Sequence, residues 1–154
     1  SLVGSEMCIR DRIKDIIKLE VRYLNLFEND DIKNDGIAVR AENNVEISED
    51  RKTAIVEFDF ILKSVESSTW KENDNKETFF NKTSEDSIIG ELQVKYKVIS
   101  NLNIDDDNEL RFALLEIVEP YFRKEVETLL SNMKLPNYIL PYRFWENEDK
   151  SYKA

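Results

Sequence analysis

The sequence predicts an α+β domain: a four-stranded antiparallel sheet, then a long kinked amphipathic helix packed on one face, then an extended segment rich in proline and aromatic residues. Three observations carry this. Four segments before residue 100 alternate apolar and polar side chains with period two. After Leu102 the apolar residues recur at spacings of three and four. The connections between the alternating segments are polar and show no helical pattern, whereas a parallel pair needs a crossover of about a dozen residues or more, usually a helix.

The first strand is expected from Ile17, with Ile17, Leu19, Val21 and Tyr23 on one face and Lys18, Glu20, Arg22 and Leu24 on the other. The run NDDIKNDG, ending at Gly36, reads as a turn or loop in which the glycine can supply a positive φ. A second strand runs through Ile37, Val39 and Ala41 and continues to Val45 and Ile47. After the polar turn SEDRK comes the strongest strand, with Ala54, Val56, Phe58, Phe60 and Leu62 facing one way and Ile55, Glu57, Asp59, Ile61 and Lys63 the other. Residues 64–87 form a polar loop, long enough for a compact domain that it should be mobile or functional. The fourth strand sets Ile88, Gly90, Leu92, Val94, Tyr96 and Val98 against Glu91, Gln93, Lys95 and Lys97.

The helical stripe comprises Leu110, Leu114, Ile117, Val118, Tyr121, Phe122, Val126, Leu129, Leu130 and Met133. Asp105, Asp106 and Asp107 precede it as cap and first-turn anions, favourable at the positive end of a helix dipole. Pro120 lacks a backbone donor and crowds the preceding turn, which predicts a kink or two consecutive helices, the second starting at Pro120. The stretch KLPNYILPYRFW is apolar and aromatic but holds two prolines, so it reads as an extended segment lying on the domain.

The 154 residues divide into three parts. Residues 1–12, SLVGSEMCIRDR, resemble translated sequencing-adapter read-through and are expected to be a non-native segment. Residues 13–145 form one domain, and 146–154 a polar tail. The only cysteine, Cys8, falls in the first part, so no disulfide framework is expected.

Composition removes several function classes. A net charge of −10 disfavours binding to phosphate backbones and anionic lipid surfaces, so neither nucleic acid nor membrane is expected as a partner. Three scattered glycines cannot build a phosphate-cradling loop. The absence of histidine removes Ser-His-Asp and Cys-His nucleophilic sites and nearly all zinc sites. Asp105, Asp107, Glu109 and Glu116 have offsets like those of a calcium loop, but Leu110 stands where glycine is needed, and helix capping accounts for them better. Asn81-Lys82-Thr83 is a glycosylation tripeptide of a kind common by chance. The carboxylate pairs Asp30/Asp31 and Glu146/Glu148 lie in polar segments with no apolar pocket to shift a pKa. No enzyme, metal or cofactor is expected.

The helix start Glu119-Pro120-Tyr121-Phe122-Arg123-Lys124-Glu125-Val126, followed by Leu129-Leu130 and by Leu135-Pro136-Asn137-Tyr138-Ile139-Leu140-Pro141-Tyr142-Arg143-Phe144, resembles the SecB family of protein-export chaperones. The resemblance spans residues 15 to 145, with residues 120–144 the motif-like part. Two departures stand out. The family's second helix, after this stretch, is expected to be short or absent here, and the loop between the third and fourth strands is longer than usual.

The resemblance implies a cytoplasmic, ATP-independent holdase that binds unfolded or nascent client polypeptides in apolar grooves, by burial of apolar surface and by main-chain hydrogen bonding. It implies a homo-oligomer, dimer or tetramer. A translocase motor or a dedicated client such as an antitoxin is the expected further partner. Candidate client-binding residues are Trp70, Phe79 and Phe80 in the long loop, and Tyr138, Ile139, Leu140, Tyr142, Phe144 and Trp145 in the C-terminal segment. The alternative is that these rings cover the sheet and its edge. The stripe Leu114, Ile117, Val118, Tyr121, Phe122, Val126, Leu129 and Leu130 is expected to cover one sheet face, and the resemblance adds a role between protomers. Glu20, Glu57, Asp59 and Glu91 could form an acidic patch on the open face, although Lys and Arg share it. The rival reading is a structural or assembly protein, as of a phage, with one fixed protein–protein interface.

Overall fold

The computed structural model describes residues 12–26, 36–66, 68, 80–81 and 87–133. Four strands precede one helix: β1 (Ile13–Asn25), β2 (Gly36–Ile47), β3 (Thr53–Val65), β4 (Ile88–Ser100) and α1 (Asp107–Met133). They form one antiparallel sheet in the order β1-β4-β3-β2. β1 and β2 are adjacent in sequence but lie at opposite edges. The two central strands are those with the most regular alternation.

The helix-facing side of the sheet is the core. Ala54, Val56, Phe58, Phe60 and Leu62 of β3 lie beside Val98, Tyr96, Val94, Leu92 and Gly90 of β4 in register. α1 lays Leu110, Leu114, Val118, Phe122, Val126, Leu129 and Met133 over them. The Phe122 ring stacks on Phe58 at 4.4 Å between centroids and meets Phe60 edge-on at 6.4 Å, both favourable aromatic geometries. The helix comes so close at its C-terminal end that a Cβ on Gly90 would stand 2.9 Å from Met133 Sδ and Cε. Burial on this scale, roughly 1.5–3 kcal/mol for each fully covered large side chain, holds the helix in place better than its local propensity could.

Local chemistry explains the ends of α1. Asp106 Oδ1 accepts the Glu109 backbone N–H at 2.9 Å, an N-cap, and Asp107 and Glu109 add negative charge to the first turn. Arg51, in the β2–β3 turn with φ of 59°, pairs with Asp107 and donates to the Ile104 and Asp105 carbonyls, tying the turn to the helix start. Gly36 does not use a positive φ; it begins β2. Pro120 neither splits the helix nor starts a second one. It sits on the exposed side of a single 27-residue helix.

β1 departs most from expectation. It starts at Ile13, not Ile17, and its register slips between Lys18 and Glu20, leaving Leu19 as a bulge. The slip changes the phase of the strand. Ile16 pairs with Val98 and Lys18 with Tyr96 on the helix side, and after the bulge Val21 pairs with Val94 and Tyr23 with Leu92 on that same side. Ile17, opposite Lys97, therefore faces the open side of the sheet rather than sharing a face with Val21 and Tyr23.

Candidate functional site

Among the described residues the large exposed apolar side chains are concentrated along one line. Ile17, Leu19, Tyr23, Leu24 and Leu26 of β1 and its continuation are between 37% and 53% exposed, and Tyr121 of α1 is 52% exposed. Among the described residues β1 pairs with β4 along one side only, so its other side is an edge of that sheet. A free edge flanked by exposed apolar side chains is a template for another extended chain. Lys18 bonds across to Glu125 of α1 at 2.6 Å, which fixes the helix against this edge beside Tyr121. The Tyr121 ring meets Tyr96, whose buried hydroxyl has no hydrogen-bond partner and is pushed up to a pKa of about 12 by burial.

The helical stripe divides between two surroundings. Leu114, Val118, Phe122, Val126, Leu129 and Leu130 are buried against the sheet, and Ile117 packs at the margin of the core. They cover one sheet face, as the spacing predicts, which leaves Tyr121 as the stripe residue open to a neighbour.

The second feature lies on the opposite side of the sheet. Ala38, Val65 and Phe80 form a buried cluster separate from the main core, with Ile61 packed against it. Phe80, expected to be accessible in a polar loop, is 2% exposed. Its ring lies under the Arg40 guanidinium, with Cζ 4.8 Å from the centroid, and under the Lys63 ammonium at 4.4 Å. Lys63 Nζ also donates to the Phe80 carbonyl at 2.8 Å. The pattern of β2 and β3 places both cations here: Ala38 and Lys63 are register partners, and Arg40 stands two residues further along the same face. Of the other expected client contacts, Trp70, Phe79, Tyr138, Ile139, Leu140, Tyr142, Phe144 and Trp145 lie outside the described residues.

The rest of the open face is polar. A shallow groove of about 380 Å³ runs across it, lined by Glu20, Arg22, Glu42, Glu57, Asp59 and Lys95 among others. The expected acidic patch is interleaved with cations: Lys95 pairs with Glu57 at 3.1 Å, Arg40 with Glu42 at 3.3 Å, and Arg22 approaches Glu20 at 3.9 Å. Asp59 is the exception. Partial burial, reinforced by the nearby Glu91 and Glu42 charges and partly opposed by a hydrogen bond from Gln93, raises its pKa to about 6. No group of side chains able to hold a metal ion occurs among the described residues, and no described helix is long and apolar enough to cross a membrane.

No known family model matches this sequence, and no curated protein matches it. A solved structure does match: the SecB-like chaperone Rv1957 of Mycobacterium tuberculosis, determined in complex with a ChAD peptide from the Rv1956 HigA1 antitoxin. It is 15% identical, aligns over 90% of this chain and 96% of its own length, and gives a TM-score of 0.51. The chain therefore has the fold of a SecB-like chaperone, and the comparison speaks to fold alone.

Proposed function

We propose that the protein is an ATP-independent chaperone that holds unfolded or nascent polypeptides in extended form, and that it works as a homo-oligomer, dimer or tetramer. The observation that carries this reading is the SecB-like fold, and the apolar edge along β1 supplies a surface for self-assembly. A peptide held by the structural neighbour supports client polypeptides as the ligand class, a dedicated client such as an antitoxin among them.

The β1 edge is assigned to a second copy. The helical stripe is consumed by the sheet, so among the described residues the apolar surface left for assembly is the strip along β1 together with Tyr121. Client contact then falls to the aromatic residues of the long loop and the C-terminal segment, Trp70, Phe79, Tyr138, Ile139, Leu140, Tyr142, Phe144 and Trp145. Action in the cytoplasm belongs to the same proposal. The mixed charge of the open face gives no support to docking of a translocase motor there.

The test is suppression of aggregation. The purified chain should keep several unrelated unfolded proteins in solution without nucleotide, at stoichiometries near one oligomer per client. A protein that ignores all such clients and binds one folded partner tightly would instead be an assembly protein with a fixed interface.

A further inference from the structure

We draw no further inference here: the strongest candidate, the groove on the open sheet face where Asp59 lies beside Glu42 and Glu91, is a cluster of acidic side chains for which nothing among the described residues points to a ligand.

Discussion

β1 and β3 are each 13 residues long, with seven apolar residues in one and eight in the other. No residue of β3 is exposed and no residue of β1 is buried. Position in the sheet makes the difference. β3 has a strand on each side, the helix above its apolar face and the Phe80 cluster over one end of the other. Among the described residues β1 has one neighbouring strand. Near-equal composition therefore serves two purposes: in β3 it seals the core, and in β1 it leaves a surface that another chain can complete. Edge strands are commonly blunted by charge and bulges, and β1 has both in Lys18, Glu20, Arg22 and the Leu19 bulge, yet it keeps its apolar side chains.

The largest expected effect of substitution is on β3. Phe58→Ala removes the ring stacked on Phe122 and should lower unfolding stability by about 3–5 kcal/mol, read from the urea midpoint. A loss below about 1 kcal/mol would mean that the helix is not held by this stack.

On the open side of the same strand, Asp59 gives a pH signature. Its pKa is about 6 in the folded chain and near 3.8 when free of its neighbours. The folded state therefore takes up a proton first, and stability due to this group rises as pH falls from neutral through about 6, the reverse of an ordinary salt-bridged carboxylate. After allowance for solvent screening, wild type minus Asp59→Asn should shift by about 1 kcal/mol or less toward the wild type between neutral pH and about pH 5. A flat difference across that range would refute the placement of Asp59 among like charges.

Between the two strands, β4 meets the helix at Gly90. Gly90→Ala pushes on the end of the Met133 side chain, which can swing aside, so the cost should stay near 1 kcal/mol. A loss of several kcal/mol would show that Met133 is locked.

Substitution on β1 should do least to the fold. Tyr23→Ser, Leu24→Ser and Leu26→Ser together should change the stability of the isolated protomer by about 0.5 kcal/mol per site or less, because these side chains are already wet. The same triple variant should lose self-association, measured by sedimentation velocity. If it unfolds the protomer instead, β1 is core and the contrast with β3 fails.

The sequence made some of this legible and hid the rest for physical reasons. Period two in β3 and β4 and the three–four spacing of α1 are local signals, and the elements form where those signals stand. Strand order is not local: nothing in Ile13–Asn25 says that it pairs with β4 rather than with β2. The bulge at Leu19 is likewise a product of pairing, and it moved Ile17 to the other face. Edge and centre could not be told apart because β1 and β3 are so nearly matched in apolar content. Phe80 sits in a polar stretch that predicts exposure. Its cover comes from Arg40 and Lys63, residues that read as outward-facing charges on strands distant in sequence. Pro120 predicts a kink or a second helix, and of these the second helix does not form: one helix runs through the proline with Val118, Phe122 and Val126 buried on either side of it.

The most direct measurement of the central claim is the molar mass of the wild-type chain by light scattering across a dilution series. An apolar edge awaiting a second copy predicts two or four times 18.2 kDa, with dissociation on dilution or in the triple-serine variant. A mass of 18.2 kDa at every concentration would contradict it.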